Sequence, residues 1–162
     1  MLLGPRRTGR PIGMSLSSIL SPTRIAVLDR ASSADELIDT LAGLLSEGRE
    51  DAARKTVADS LRQRERMGST AIGHGVALPH GRNDVFDEAR AAFVRLRSPI
   101  GFGAMDEEDV DLVLALSVPA HFTHQHLQLL AEIAERFSDE DFRAALRGAS
   151  DADALARLLT ED

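Results

Sequence analysis

The chain has 162 residues, of which 43% are hydrophobic and 28% are charged, and its formal net charge is −7. These values are typical of one globular domain with its own core, and they argue against wholesale disorder. The acidic balance and the absence of Trp and Tyr argue against a nucleic-acid partner. No apolar run reaches the roughly 20 residues of a membrane helix, so direct membrane insertion is not expected. The absence of cysteine excludes disulfides and thiolate metal sites and fits a cytoplasmic location.

The first fourteen residues have the composition of a flexible leader. They combine three arginines with glycine and proline, and they lack the apolar segment that a signal peptide needs. Terminal segments of this kind are usually loosely held. We therefore expect residues 1–14 to form a flexible basic leader and residues 15–162 to form one domain, with Met14 as an alternative start.

The first half of the domain is predicted to contain a strand and two helices. The strand, at residues 24–28, is short and rich in β-forming side chains. The first helix is expected to begin after Ser33, which forms a capping box with Glu36, and to end at Gly48. Its apolar stripe consists of Leu37, Leu41, Leu44 and Leu45. The second helix is predicted over residues 51–66.

The second half is predicted to contain three strands followed by three helices. A short strand at residues 76–78 precedes one at 91–96, which the Ser98-Pro99 pair is expected to break. The run 109–116 becomes wholly apolar, as in a central strand covered on both faces. The helices are predicted at 123–137, 139–146 and 152–159, with caps at Thr123, at Ser138, and at Ser150 or Asp151. This order predicts an α/β sandwich, with a mixed central sheet flanked by helices.

The most distinctive stretch runs from Met67 to Arg82 and contains four glycines and a Pro-His-Gly corner. Glycine lets the backbone double back and approach a ligand closely. Pro79 should end the preceding strand and place His80 at its end. Neutral imidazole is a good nucleophile near pH 7, and its adduct can pass the group onward, so His80 is a candidate phosphoryl acceptor. A turn histidine beside a loop that cradles an anion without covalent chemistry is the alternative.

Two blocks of sequence resemble the fructose/mannitol-type (type-2) IIA component of the bacterial phosphotransferase system, and within it the nitrogen-regulatory IIA. The first is Arg-Glu-Arg-Met-Gly-Ser-Thr from Arg64, followed by Ile-Gly-His-Gly-Val-Ala-Leu-Pro-His-Gly ending at Gly81. The second is Val-Pro-Ala at residues 118–120 with His-Leu-Gln-Leu-Leu-Ala from His126. The resemblance covers residues 17–159 and implies the α/β sandwich of the mannitol/fructose-type IIA fold.

The resemblance implies a phosphoryl carrier. His80 would accept the group from a histidine phosphocarrier protein of the HPr or NPr kind, itself charged from phosphoenolpyruvate by enzyme I. No cofactor is implied, because the phosphohistidine donor already carries an activated group. A lone IIA module favours a nitrogen or metabolic regulator that binds target proteins according to its phosphorylation state. A sugar-uptake IIA that passes the group to a separate IIB protein is one alternative, and a non-catalytic anion-binding module is another.

The resemblance also maps His126 onto the second active-site histidine of the family. In that role it would hydrogen-bond the phosphoryl oxygens, helped by free amides at a helix N-terminus. Helical geometry places it on the apolar face with Leu130, Ile133 and Phe137. A core histidine with no part in the chemistry is therefore the alternative.

Arg64 matches an arginine that the family places near the phosphoryl group, where a guanidinium offers paired donors to phosphate oxygens. Arg62 and Arg66, on the same predicted helix end, compete for this role. The loop's hydroxyls and glycine amides are the remaining candidates for holding the phosphoryl oxygens, namely Ser69, Thr70, Gly73, Gly75 and Gly81.

The other histidines and an acidic run suggest alternatives that the sequence does not favour. His121 and His124 have the His-x-x-His spacing of metal ligands. On a helix, however, His126 lies about 140° and 160° around the axis from them, so the three cannot converge on one ion. A solvent-facing pair is expected, with no metal site. The run 106–109 is expected to be a solvated acidic turn, and His74 is either a further ligand or a neutral substitution.

Overall fold

A computed structural model describes residues 15–161. The predicted leader at residues 1–14 lies outside the described residues, as does the final residue of the predicted domain. The strands are β1 (Leu20–Leu28), β2 (Ala71–Gly73), β3 (Val76–Ala77), β4 (His80–Arg82), β5 (Arg90–Ile100) and β6 (Val110–Val118). The helices are α1 (Leu16–Ile19), α2 (Ala34–Leu45), α3 (Asp51–Arg66), α4 (His124–Phe137), α5 (Glu140–Gly148) and α6 (Ala152–Thr160).

The strands form one mixed sheet in the order β1-β5-β6-β3-β2, and β4 also pairs with β6. β6 is antiparallel to β5 and parallel to both β3 and β4. β3 and β4 follow one another along the same edge of β6, with Val76 opposite Leu112 and His80 opposite Leu116. Pro79 separates them because it has no N–H for the ladder, although its carbonyl accepts the Leu116 amide at 2.9 Å.

Each face of the sheet has its own core. Along β6, Leu112, Leu114 and Leu116 belong to the core that includes residues of α4, α5 and α6. Val113 and Ala115, which alternate with them, pack in the core with α2 and α3. Because both sets are fully buried, β6 is a central strand covered on both sides, as predicted. The predicted fold class, a mixed central sheet flanked by helices, is confirmed.

A cap is predicted for four helices, and the predicted residue makes a capping hydrogen bond in two of them. The Ser33 hydroxyl accepts the Glu36 amide at 3.0 Å, and the Asp151 carboxylate accepts the Ala154 amide at 2.9 Å. Thr123 occupies the N-cap of α4, but its side chain makes no capping hydrogen bond. The start of α5 was predicted wrongly.

The correction at α5 is that Asp139, not Ser138, caps the helix. The Asp139 carboxylate accepts the Asp141 amide at 2.9 Å and the Phe142 amide at 3.4 Å. Ser138 is instead the C-cap of α4, where its amide donates to the last carbonyls of that helix. Because α4 ends at Phe137 and α5 begins at Glu140, Ser138 belongs to the end of the first helix and Asp139 to the start of the second.

The predicted break at Ser98-Pro99 is also wrong, because β5 continues to Ile100. Its pairing with β6 changes register between Arg95 and Ile100, and a proline without an N–H is tolerated at such an irregularity. The Ser98 amide donates to the carbonyl of Asp29 at 2.9 Å, outside the β5–β6 ladder. β1 likewise begins at Leu20, four residues before its predicted start.

Gly81 sets how closely β4 approaches α3. A Cβ added at Gly81 would lie 2.6 Å from the Ser60 hydroxyl oxygen and 2.8 Å from the Ser60 carbonyl carbon and oxygen. Backbone atoms of a helix cannot move aside as the end of a long side chain can. The glycine is therefore required by packing at this contact.

We expect Gly81→Ala to lower the free energy of unfolding by about 1–3 kcal/mol, because the new methyl group must push β4 away from α3. Urea denaturation measures this change. Gly148→Ala is the matched control, since a Cβ added there would meet no heavy atom of a non-neighbouring described residue within 4 Å. Equal stability of the two variants would show that the contact at Ser60 is not restrictive.

Candidate functional site

His80 lies in a cleft of about 850 Å³ between the end of α3, β4 and the start of α4. The polar side chains lining it are those of Ser60, Gln63, Arg64, His80, Arg82, Thr123 and His126. Met67 and Leu127, 80% and 66% exposed, supply an apolar rim. The cleft therefore combines two imidazoles and two guanidinium groups with an uncharged edge.

Strand alternation explains how β4 builds this cleft. His80 pairs with Leu116 and Arg82 with Val118, and both partners belong to the core beneath α4. Gly81, between them, faces α3 instead. His80 and Arg82 consequently share the face of β4 that looks toward α4. Sequence reasoning missed Arg82, although its position two residues after His80 was the signal that could have identified it.

A single hydrogen bond fixes the chemical form of His80. Its Nδ1 lies 2.8 Å from the carbonyl oxygen of Leu78, which can only accept, so Nδ1 carries the proton. Burial lowers the pKa of His80, and Arg64 adds to this, while the Leu78 carbonyl and Glu65 act in the opposite direction. The imidazole is therefore neutral at pH 7, with the lone pair on Nε2.

His126 lies beside His80, with ring centroids 5.2 Å apart and ring planes inclined at 52°. It is 8% exposed, and its Nδ1 is enclosed without a hydrogen-bond partner among the described residues. Burial lowers the pKa of His126 to about 4, helped by repulsion from His80 when that ring is protonated and from Arg82 and Arg64. It is thus a neutral imidazole in the first turn of α4 that can reach a ligand only through Nε2.

Of the three candidate arginines, the structure places Arg64 in the cleft. One guanidinium nitrogen of Arg64 donates to the carbonyl of Gly68 at 2.8 Å, which holds the side chain over the end of α3. Arg62 is directed elsewhere, with ion pairs to Asp35 at 2.6 Å and Asp39 at 2.9 Å. Arg66 is exposed and is not among the residues lining the cleft.

Ser69 and Thr70 line a second opening of about 320 Å³ that also borders His80, which we call the side groove. Both hydroxyl protons already have acceptors: Ser69 donates to the carbonyl of Phe102, and Thr70 donates to the Glu65 carboxylate at 2.7 Å. The structure therefore gives these residues a part in holding the loop. Neither hydroxyl is free to donate to a phosphoryl oxygen.

Gly73 is the last residue of β2, and Gly75 lies in the turn before β3. Neither belongs to the described residues that line the cleft or the side groove. Together with His74 they form three consecutive residues with positive φ, at 96°, 58° and 80°. His74 contributes its backbone, donating to Asp106 at 3.0 Å and accepting from Arg147 at 2.6 Å. These glycines thus permit a tight turn, whereas Gly81 does line the cleft.

His121 and His124 are both exposed. Among residues 15–161 no group of three or more His, Asp or Glu side chains is arranged to hold a metal ion. Asp106, in the predicted acidic turn, is exposed but accepts the amides of His74 and Glu108, and these bonds lower its pKa. None of the helices described within residues 15–161 has the length and hydrophobicity that a membrane span requires.

Comparison with known proteins assigns this chain to a family. The family model described as phosphoenolpyruvate-dependent sugar phosphotransferase system, EIIA 2, matches residues 18–162. The chain therefore belongs to this family of phosphotransferase-system IIA proteins, whose members carry phosphoryl groups, and the resemblance seen in its two sequence blocks is confirmed.

Within the family, the chain is similar to proteins that bear a regulatory name. It is 34% identical to the nitrogen regulatory protein of Pseudomonas aeruginosa over 90% of this chain and 95% of the relative. The crystal structure of nitrogen regulatory protein IIA-Ntr from Neisseria meningitidis matches with a TM-score of 0.81 and 36% identity, over 90% of this chain and 99% of that one. IIA mannitol from Escherichia coli, at 20% identity and a TM-score of 0.72 over 86% and 97%, shares the fold.

The low pKa of His126 makes the stability of the protein depend on pH. The unfolded chain takes up a proton near the ordinary value of 6.5, whereas the folded imidazole stays neutral down to about pH 4. Stability should therefore be complete above pH 6.5 and fall as the pH decreases toward 4. We expect the wild type to lose on the order of 1–2 kcal/mol more free energy of unfolding than His126→Gln between pH 7.5 and 5.

Urea unfolding at several pH values measures this difference. His121→Gln changes an exposed histidine at the same end of the molecule and should keep the wild-type pH dependence. Parallel curves of stability against pH for the wild type and His126→Gln would contradict the burial argument.

Proposed function

We propose that this protein is a phosphohistidine carrier in which Nε2 of His80 accepts a phosphoryl group from a histidine phosphocarrier protein of the HPr or NPr kind. The observation that carries this proposal is the hydrogen bond from Nδ1 of His80 to the Leu78 carbonyl. It leaves the lone pair of a neutral imidazole on Nε2, in a cleft with two arginines. Membership of the IIA family supports the same assignment.

The transfer needs no oxidant, metal or nucleotide, because the donor phosphohistidine already carries an activated phosphoryl group. Nε2 of His80 attacks phosphorus, and the new P–N bond forms as the P–N bond to the donor imidazole breaks. The donor ring, protonated on its other nitrogen, leaves as neutral imidazole. The His80 ring keeps its Nδ1 proton and acquires a positive charge, which the Leu78 carbonyl stabilises through the existing hydrogen bond.

The groups around Nε2 stabilise the transferred phosphoryl group. Arg64 and Arg82 bring fixed positive charge, which is favourable where phosphoryl oxygens carry negative charge. Because Nδ1 of His126 is enclosed, only Nε2 can reach the phosphoryl group, and in the tautomer protonated at Nε2 it donates a hydrogen bond. His126 also lies in the first turn of α4, where unpaired backbone amides favour an anion. His126 is thus a hydrogen-bond donor to the product, and His80 is the nucleophile.

The apolar rim of the cleft supports a protein as the donor. Met67 and Leu127 are large side chains held in solvent beside His80. Exposed apolar side chains next to a reactive group are typical of surfaces that bind a protein partner. A cytoplasmic phosphocarrier would cover them while presenting its phosphohistidine.

We further propose that phosphorylation of His80 controls binding to regulated target proteins, as in a nitrogen or metabolic regulator. The names of the relatives in Pseudomonas aeruginosa and Neisseria meningitidis support this reading. The alternative acceptor is a IIB protein. Transfer of labelled phosphoryl from this protein to a purified IIB would favour sugar uptake, and phosphorylation-dependent binding without transfer would favour regulation.

After incubation with phosphoenolpyruvate, enzyme I and the phosphocarrier, the wild type should gain the mass of one phosphoryl group. His80→Ala should gain no mass. Intact-mass spectrometry measures the adduct, with a known IIA protein labelled in parallel. No adduct on the wild type would leave an anion-binding module. An adduct that persists in His80→Ala but disappears in His126→Ala would make His126 the nucleophile.

Arg64→Gln and Arg82→Gln should each slow phosphoryl transfer to His80 by about 10–100-fold, because each removes a positive charge from the transition state. Arg66→Gln is the matched control: it makes the same change on the same helical turn, outside the cleft. Single-turnover labelling measures the three rates. A loss in Arg66→Gln as large as in Arg64→Gln would mean that net charge, not position, governs the reaction.

A further inference from the structure

Glu65 lies next to Arg64 in the last turn of α3 and makes two hydrogen bonds to one residue. Its carboxylate accepts the Thr70 amide at 2.9 Å and the Thr70 hydroxyl at 2.7 Å. Thr70 is buried, so this pairing takes place largely away from water. A carboxylate that satisfies both donors of a buried residue fixes the position of that residue firmly.

Thr70 transmits this position to the nucleophile through the backbone. Its carbonyl accepts the amide of Leu78 at 3.0 Å. The Leu78 carbonyl then accepts Nδ1–H of His80 at 2.8 Å. A continuous chain of hydrogen bonds therefore runs from the Glu65 carboxylate, through Thr70 and Leu78, to the ring that is to be phosphorylated.

The same carboxylate also shapes the loop beside Arg64. Thr70 ends the short loop after α3, and within that loop the Gly68 carbonyl accepts from Arg64 at 2.8 Å. Holding Thr70 in place thus holds the segment that orients the Arg64 guanidinium. Glu65 also opposes the fall of the His80 pKa, which places its charge near the ring.

We propose that Glu65 is a positioning residue for phosphoryl transfer, which keeps His80 in its Nδ1–H form by fixing Thr70 and, through it, the Leu78 carbonyl. This inference rests on the proposed function for its catalytic consequence. Its structural part, control of the His80 tautomer, stands on the hydrogen bonds alone. Glu65 itself does not need to touch the phosphoryl group.

The test combines the His80 tautomer with phosphoryl-transfer kinetics in Glu65→Ala, Glu65→Gln and Thr70→Val. Nitrogen-15 NMR of the imidazole rings reports which nitrogen of His80 carries the proton. Transfer is measured from the phosphocarrier and from phosphoramidate, a small donor that needs no protein docking. Asp59→Ala is the matched control, because it removes an exposed carboxylate from the same helix. Among the described side chains, that carboxylate pairs only with Lys55.

We expect Glu65→Ala to mix the two His80 tautomers and to lower kcat about tenfold or more with both donors, while KM for the phosphocarrier changes about twofold or less. Glu65→Gln, whose amide oxygen can still accept from the Thr70 amide, should recover most of both properties. Thr70→Val keeps the backbone hydrogen bonds and loses the hydroxyl hydrogen bond. Its kcat and its degree of tautomer mixing should therefore lie between those of Glu65→Ala and Glu65→Gln. Asp59→Ala should match the wild type.

Two results in folded Glu65→Ala would overturn the proposal. One is an unchanged His80 tautomer, whether or not kcat falls, and the other is an unchanged kcat. If Glu65→Ala fails to fold, Thr70→Val decides: wild-type tautomer and kcat in that variant would overturn it. Failure of the proposed function gives a different result. In that case wild-type His80 takes no phosphoryl group from the phosphocarrier, yet its tautomer still depends on Glu65.

Discussion

The close packing of β4 on α3 determines where the groups of the cleft lie. Because Gly81 has no side chain, the strand rests against the backbone of α3 at Ser60. His80 and Arg82, on either side of Gly81, are thereby directed to the opposite face, toward α4. The end of α3 and the start of α4 then stand on two sides of one short strand. Arg64, from one helix, and His126, from the other, meet His80 because of that spacing.

Burial and positive charge act together on the two imidazoles. Desolvation is the main reason that the pKa values of His80 and His126 are low, and the charge of Arg64 lowers both further. The arginines that would stabilise a bound anion therefore also keep the histidines unprotonated before it arrives. Positive charge near an imidazole disfavours its protonation, so a cationic surrounding and a neutral ring are compatible requirements at this site.

The sequence predicts those parts of the fold and site that depend on local patterns. Pro79 followed by His80 indicates a strand end, the apolar run of β6 indicates a central strand, and the spacing around His126 places it on the inner face of a helix. Each of these follows from periodicity or from proline chemistry. The choice of Arg64 over Arg62 depended on resemblance, since both occupy the same helix end.

What the sequence did not predict depends on contacts between distant segments. The Ser69 hydroxyl is paired with Phe102, a residue 33 positions away, and no local pattern reveals that partner. Ser98-Pro99 stays within β5 because of a register change against β6, which only the assembled sheet defines. Gly73 and Gly75 resemble ligand-cradling glycines in sequence, yet their positive φ values serve a turn. Glycine-rich composition alone does not distinguish the two uses.

The hydrogen bond between His80 and Leu78 has a consequence for the product. Histidine can carry phosphorus on either ring nitrogen, because each nitrogen presents a lone pair in one of the two neutral tautomers. With Nδ1 facing the Leu78 carbonyl at 2.8 Å, there is no space for phosphorus on that side of the ring. The phosphohistidine that we propose at His80 would therefore be the τ isomer, specified by the fold before any donor has bound.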